Sequence, residues 1–170
     1  IHHAIPAWCP PTDDAARARL VAARHSRRFS GRQPSRLARV LASRGFDPDE
    51  LVRLWGLQGI GLAPELSWRI FIPGQRDGRV VSWTTRSIGD AKMKYISAGK
   101  GQAAVPHKHL LYGRQHCKHA AIICEGPTDT WNVGPGAVCT FGLQYTREQM
   151  MQISKFPVRA ICFDNEPKAQ

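Results

Sequence analysis

Two short apolar runs, each followed at once by acidic residues, stand out in the pattern of hydrophobic and polar positions. The run Ala120–Cys124 has no charged residue and is followed by Glu125 and Gly126. An apolar run of this length that ends at glycine predicts a fully buried β-strand. Residues 158–163 are also mostly apolar and are followed by the acidic segment 164–166. Because ligands of α/β sheets bind beyond the carboxyl ends of the strands, the pattern predicts a site where these two strands end.

The acidic side chains that follow the two runs are Glu125, Asp164 and Glu166. If the two strands are parallel neighbours, these three carboxylates meet at one edge of the sheet. Like charges at such a distance repel each other and require a cation. Mg²⁺ takes one or two carboxylates together with substrate phosphates, so the sequence predicts a site for Mg²⁺ or Mn²⁺.

Helical periodicity dominates the first third of the chain. Residues 15–29 predict an alanine- and arginine-rich helix, and residues 35–44 predict a second one that stops at glycine. Asp47 and Pro48 then supply an N-cap and a first-turn proline for a third helix. Nine arginines and no acidic residue lie between positions 15 and 46, which favours contact with phosphates over a merely solvated face.

The pattern changes to period two from Trp68 onward. Residues 68–73 and 79–86 flank the segment 74–78, and together they predict a β-hairpin. Further along, residues 128–133 predict a turn or two of helix and residues 137–142 predict a strand. A helix follows, with a capping box between Thr146 and Gln149, in the order of a parallel sheet with right-handed crossovers. The chain is therefore expected to be an α/β protein with an α+β N-terminal part.

Charge and composition narrow the partners and the compartment. The 170 residues carry a formal charge of +11, with a pI near 10.0, which favours a polyanionic partner. No apolar stretch is long enough to span a membrane, and we expect a cytoplasmic protein. Five cysteines occur without a Cys-x-x-Cys pair. Cys124, Cys139 and Cys162 are expected to be buried thiols in a reducing compartment.

Taken in order, these motifs resemble the catalytic core of DnaG-type primases of bacteria and phages. The segment Glu125-Gly-x-x-Asp129, followed later by an acidic pair, resembles the TOPRIM fold. Residues 79–86, 94–97 and 107–113 resemble the basic subdomain that precedes it. The resemblance implies a leader with an Arg-rich helix, a basic helical and β subdomain, and a partial TOPRIM parallel sheet that is incomplete at its C-terminal end. The implied boundaries are 1–34, 35–115 and 116–170.

The function that this resemblance implies is synthesis of RNA primers from nucleoside triphosphates on single-stranded DNA, with Mg²⁺ or Mn²⁺ as cofactor. A replicative helicase is the implied protein partner. The implied catalytic residues are Glu125, Asp129, Asp164 and Glu166, with Asp129 supporting Glu125. The implied nucleic-acid or nucleotide ligands are Arg86, Lys94, Lys108 and Gly126, and the three cations are expected to be solvent-accessible in the cleft of Glu125. The second acidic motif is Asp-x-Glu here, where the family usually has Asp-x-Asp.

Three alternatives stay open on the sequence. The same carboxylates would serve a TOPRIM nuclease or topoisomerase that cleaves phosphodiesters. The atypical acidic motif would also suit a nucleic-acid-binding module without catalysis. Finally, the densest histidine and cysteine cluster suggests a zinc site, although its spacing matches no ordinary ligand pattern. The other interpretation is that its members are polar loop residues. Its members are His107, His109, His116, Cys117 and His119.

Overall fold

Two β-sheets of different type, flanked by short helices, make up the described part of the chain. The computed structural model describes residues 26–27, 36–60 and 66–164. Single turns of 3₁₀-helix lie at His107–His109 and Arg114–His116. The other elements, in chain order, are β1 (Ser26–Arg27), α1 (Arg36–Ala42), α2 (Pro48–Trp55), β2 (Gln58–Ile60), β3 (Arg69–Arg76), β4 (Arg79–Ser87), β5 (Tyr95–Ser97), β6 (Ala120–Cys124), α3 (Pro127–Val133), β7 (Ala137–Cys139), α4 (Arg147–Ile153) and β8 (Val158–Cys162).

The first sheet is antiparallel and is built around the predicted hairpin. Its five strands follow one another in the order β1-β2-β3-β4-β5. The strand β3 continues beyond the predicted end, through a register shift at Gly74 and Gln75, so the turn is only Asp77-Gly78. Both turn residues have positive φ angles, as a two-residue hairpin of the type I′ class requires.

The second sheet is parallel, with strand order β7-β6-β8. The helix α3 connects β6 to β7, and α4 connects β7 to β8. The predicted capping box of α4 is present: Thr146 Oγ1 accepts from the Gln149 amide at 3.3 Å, and Gln149 Oε1 accepts from the Thr146 amide at 3.0 Å. The predicted mixed architecture, an α+β part followed by a parallel sheet, is therefore confirmed.

An aromatic cluster joins the two sheets. The Trp55 ring stacks on Tyr112 with centroids 5.5 Å apart, and Trp131 Nε1 donates to the Tyr112 hydroxyl at 2.9 Å. Tyr112 also forms a two-way backbone bridge with Cys139 of the parallel sheet. The next residue, Gly113, has φ +82, and a β-carbon there would overlap the carbonyl oxygen of Ala137. Glycine is therefore required for this close approach.

Hydrophobic packing covers both faces of the parallel sheet unequally. One face carries a cluster under α4 formed by Leu111, Cys117, Ala121, Ile123, Val138, Ile153 and Phe156. The cluster on the other face includes Cys124, Cys139 and Trp131. The edge strand β8 is exposed along its whole length, with Ile161 75% exposed.

The structure corrects three of the sequence-based expectations. Ala120 and Ile122 of β6 are exposed, so this strand alternates and is not fully buried. Cys162 is exposed because it lies on the edge strand, whereas Cys124 and Cys139 are buried as expected. The helix predicted for residues 15–29 is wrong at Ser26–Arg27, which pair as a strand with β2. Sheet pairing outweighs the local helical preference there, and the remainder of that helix lies outside the described residues.

Helix α2 begins as predicted, because Asp47 accepts from the amides of Asp49 at 2.9 Å and Glu50 at 3.3 Å. The helices of the described ranges are all too short or too polar to cross a membrane.

Candidate active site

The two acidic strand ends meet at one edge of the parallel sheet. Strands β6 and β8 are parallel neighbours, and Cys124 stands in register with Cys162. Glu125 directly follows the first cysteine, and Asp164 comes two residues after the second. Both carboxylates line one cavity of about 490 Å³. The predicted convergence of Glu125 and Asp164 is thus present, while Glu166 lies outside the described residues.

This cavity lies between the two sheets, and it contains both signs of charge. The antiparallel sheet and the segments after it contribute Thr84, Arg86, Lys94, Tyr95, Ser97 and His107. The parallel sheet contributes Glu125, Gly126, Pro127, Thr128, Asp129, Phe141, Gly142 and Asp164. Such a site can hold a cation and the phosphates of a nucleotide next to each other.

Asp129 fixes the turn that follows Glu125. Its Oδ2 accepts from the Gly126 amide at 2.9 Å, and it stands at the third position of α3. Thr130 Oγ1 donates to the Gly126 carbonyl at 3.0 Å, so this turn is held from both sides. The Glu125 carbonyl in turn accepts from the Gly142 amide at 2.8 Å. Asp129 is therefore placed to position Glu125, which is the supporting role that the resemblance implied.

Arg86 connects the antiparallel sheet to the carboxylate turn. Its Nη1 donates to the Tyr95 hydroxyl at 2.5 Å and to Thr128 Oγ1 at 3.1 Å. The guanidinium also lies over the Tyr95 ring, 5.4 Å from its centroid. Arg86 is only 9% exposed. The expectation of an openly accessible cation is therefore wrong here, because the side chain is occupied in joining β4 to the start of α3, although it does line the cavity.

Lys108 is also engaged by the protein itself. Its Nζ donates to the carbonyls of Thr140 at 3.0 Å, Phe141 at 2.9 Å and Gln144 at 2.6 Å. Burial lowers the pKa of this amine. Three carbonyls in one loop use the three donors of an ammonium group. Lys108 is half-buried, and in the described part of the chain it is not among the residues that line the cavity with Glu125. Its ammonium instead fastens the loop that carries Phe141 and Gly142 into the cavity wall.

Lys94 differs from these two cations, since its side chain is exposed and lines the cavity. Arg69 holds the backbone at Lys94, because its guanidinium donates to the carbonyls of Met93 at 2.6 Å and Lys94 at 3.4 Å. Of the three predicted cations, Lys94 is therefore the one that combines exposure with a place in the cavity.

His107 also lines the cavity, although no separate role was predicted for it. Its ring meets Phe141 edge-on, with centroids 5.5 Å apart. Burial, and then the charge of Lys108, lower the pKa of His107, so the imidazole is neutral at pH 7. Phe141 has φ +60, a left-handed conformation that is uncommon for a bulky residue. The sequence analysis named His107 only as a member of the histidine and cysteine cluster and of the segment 107–113.

The described residues meet the requirements of Mg²⁺ only in part. In the described ranges no three His, Cys, Asp or Glu side chains are grouped closely enough to hold a metal ion. Glu125 and Asp164 nevertheless line one cavity, and two carboxylates completed by substrate phosphates suit Mg²⁺. The donor set is thus compatible with a nucleotide-bound Mg²⁺.

The histidine and cysteine cluster of residues 107–119 does not converge on a zinc site in the part of the chain described. His116 Nε2 lies 2.9 Å from the Leu54 carbonyl, and its ring packs edge-on against Trp55. Cys117 is buried in the cluster under α4. His116 and Cys117 therefore serve packing and loop structure.

The described chain thus combines an antiparallel sheet that contributes cations with a parallel sheet that has carboxylates at its carboxyl edge. Comparison with solved structures shows that this is the fold of DnaG primase catalytic cores. A DnaG catalytic domain bound to single-stranded DNA gives a TM-score of 0.69 at 17% identity, covering 91% of this chain and 62% of that one. A DNA primase domain from Pseudomonas aeruginosa gives 0.68 at 21% identity, covering 91% and 61%.

A further DnaG catalytic core gives a TM-score of 0.64 at 18% identity, covering 79% of this chain and 56% of that one. This chain thus spans about three fifths of the length of these structures. In sequence, it matches no protein-family model and no curated protein.

Proposed function

We propose that this chain is the core of a DNA primase that synthesises RNA primers on a single-stranded DNA template from nucleoside triphosphates. The observation that carries the proposal is the shared cavity of Glu125 and Asp164 with Arg86 and Lys94. Carboxylates for a metal and cations for phosphates are the two components that phosphoryl transfer needs. The fold of DnaG catalytic cores supports the same reaction class.

Glu125 and Asp164, with Glu166 as the further carboxylate of the second motif, would hold Mg²⁺ or Mn²⁺. The bound ion would neutralise charge on the nucleotide phosphates and polarise the phosphate under attack. Asp129 and the Gly126 amide keep the Glu125 turn in place. Lys94 is the cation that would attract template or nucleotide phosphates, and Arg86 would reach them from the cavity wall.

Single-stranded DNA is the proposed template because one structure of the same fold is a DnaG catalytic domain bound to that ligand. The net charge of +11 supports a polyanionic partner. A replicative helicase would be the further partner, and its proposal rests on the resemblance of the motifs to primases.

The substitution Glu125→Gln tests the proposal, because it keeps the size of the side chain and removes its charge. We expect Mg²⁺-dependent nucleotide incorporation to fall by about 10³-fold or more, as loss of a metal carboxylate removes several kcal/mol of transition-state stabilisation. Affinity for single-stranded DNA should hardly change. The gain in melting temperature on adding Mg²⁺ should shrink, since that gain exists only where the folded protein binds the ion.

The matched control is Glu50→Gln, which makes the same chemical change on an exposed face of α2. It should leave incorporation and the Mg²⁺ effect as in the wild type. Incorporation that survives Glu125→Gln would contradict the proposal. Wild-type protein that binds DNA without incorporating nucleotides would favour a binding module, and cleavage of DNA would favour a nuclease.

A further inference from the structure

Three cysteines form a row across the parallel sheet directly behind the carboxylate edge. Cys124 of β6 stands in register with Cys139 of β7 on one side and with Cys162 of β8 on the other. Successive residues of a strand point to opposite faces, so register partners of a sheet place their side chains on the same face. The three thiols therefore lie side by side.

Two neighbouring members of this row, Cys124 and Cys162, have the strand spacing of a disulfide precursor. Cys124 and Cys162 are register partners on adjacent parallel strands, so their side chains leave the same face of the sheet next to each other. Neighbouring strands lie about 4.8 Å apart, which falls within the Cα separation of about 4.4–6.8 Å that disulfides span. The strand β8 is an exposed edge of the described sheet, so a small shift of this strand can adjust the remaining geometry.

The two thiols of this pair differ in accessibility. Cys162 is exposed, whereas Cys124 is completely buried. Cys162 is therefore the member of the row that a solvent-borne oxidant reaches first.

We propose that Cys162 and Cys124 are a peroxide-reactive pair that forms a reversible disulfide between β8 and β6. The Cys162 thiolate attacks one oxygen of hydrogen peroxide, the O–O bond breaks, and hydroxide leaves, so that the Cys162 sulfur is oxidised to sulfenic acid and the peroxide is reduced. The Cys124 sulfur then attacks the Cys162 sulfur. The S–O bond breaks, the S–S bond forms, and the thiol proton leaves with the hydroxyl group as water.

This disulfide would tie the two strands together next to both carboxylates. Cys124 immediately precedes Glu125, and Asp164 follows Cys162 by two residues. The consequence for activity rests on the proposed function: oxidation should lower nucleotide incorporation by about a hundredfold if it moves the carboxylates by ~1 Å. The formation of the bond itself does not depend on that function.

The experiment treats the whole chain with one equivalent of hydrogen peroxide, alkylates the remaining thiols in denaturant and counts them. Two of the five thiols should disappear and return after dithiothreitol. Trypsin with a glutamyl endopeptidase cuts after Lys118, Glu125, Arg159 and Lys168, so that Cys124 and Cys139 fall on separate peptides. Peptide 119–125 should be found linked to peptide 160–168.

Cys162→Ala, a change on the exposed edge strand, should retain all of its four thiols under the same treatment. Its incorporation activity should resist peroxide. Sulfinic or sulfonic acid at Cys162 without a cross-link, or a link to Cys139 instead of Cys124, would overturn the proposal. A cross-link without loss of incorporation would keep the disulfide and overturn its effect on the site. Absence of incorporation in the reduced protein would contradict the proposed function alone.

Discussion

The antiparallel and the parallel sheet both supply charged side chains to one cavity, but they hold them in different ways. On the antiparallel side, Arg86 lines the cavity and donates to Tyr95 and Thr128. Lys108, in the 3₁₀ turn that follows this sheet, donates to three carbonyls of the loop that carries Phe141. On the parallel side, Glu125 is half-buried and Asp164 is exposed at the strand ends. Two of the three predicted phosphate ligands thus assemble the cavity wall, and the carboxylates line the space that the wall encloses.

This difference shows that a cationic side chain within a functional motif can stabilise the surrounding structure instead of binding a phosphate. An ammonium with three carbonyl partners has used its donors, so a phosphate would have to displace one of them. Lys94 belongs to the separate segment 94–97, and among the described residues no such network holds its exposed side chain. Substitutions at Lys108 and at Lys94 should therefore affect different measurements.

Lys108→Met should produce the largest change in stability in this comparison. Methionine keeps most of the length of the side chain and removes three donors, leaving the carbonyls of Thr140 and Phe141 with fewer partners. Hydrogen bonds to charged groups contribute about 1.5–3 kcal/mol each and are not additive, so we expect the free energy of unfolding to fall by about 3 kcal/mol. Urea unfolding measures this change.

The control for that substitution is Lys100→Met, at an exposed loop position. Its free energy of unfolding should stay within about 0.5 kcal/mol of the wild type. Equal effects of the two substitutions would refute the fastening role of Lys108.

Lys94→Ala should act on binding and leave stability almost unchanged. If Lys94 contacts one phosphate, single-stranded DNA binding should weaken, and the slope of log K against log salt should become shallower by about 0.7. A salt titration by fluorescence anisotropy gives this slope. The Lys108→Met variant should keep the wild-type slope as long as it is folded. A shallower slope in Lys108→Met together with a wild-type slope in Lys94→Ala would mean that Lys108, and not Lys94, contacts the phosphate.

The smallest expected effect concerns pH. Burial and Lys108 lower the pKa of His107 in the folded protein below its unfolded value of 6.5. The unfolded chain therefore binds more protons between these two values, and stability is full above pH 6.5 and decreases as the pH falls toward the folded pKa. His107→Asn should reduce this acid-side decrease.

If His107→Asn leaves the pH dependence of the melting temperature as it is in the wild type, protonation of His107 does not oppose folding.

Local signals predicted the elements well where one stretch of sequence determines them. The capping residues Asp47 and Thr146, and the turn Asp77-Gly78, act through contacts within a few positions. The acidic ends of β6 and β8 were equally predictable from the sequence, because the position of a carboxylate after a strand follows from the order of residues alone. The register of Cys124 with Cys162 confirms that the strands are neighbours.

The remaining features depend on contacts between distant positions. Nothing near Lys108 in sequence indicates that it will meet the carbonyls of residues 140–144, and the lining role of His107 depends on the same loop. The strand at Ser26–Arg27 forms by pairing with residues more than thirty positions away. Exposure of Cys162 likewise depends on which elements cover β8, a fact that apolar composition does not encode.

The amide of Gln149 has a consequence for the order in which the protein folds. It accepts from the Thr146 amide to start α4, and its Nε2 donates to the carbonyls of Leu110 at 2.9 Å and Thr140 at 3.0 Å. A seven-residue helix is too short to persist alone. Its first turn therefore becomes native only when a segment about forty residues earlier has arrived. The amide protons of α4 should accordingly exchange with solvent together with those of the β6 strand, as one cooperative unit.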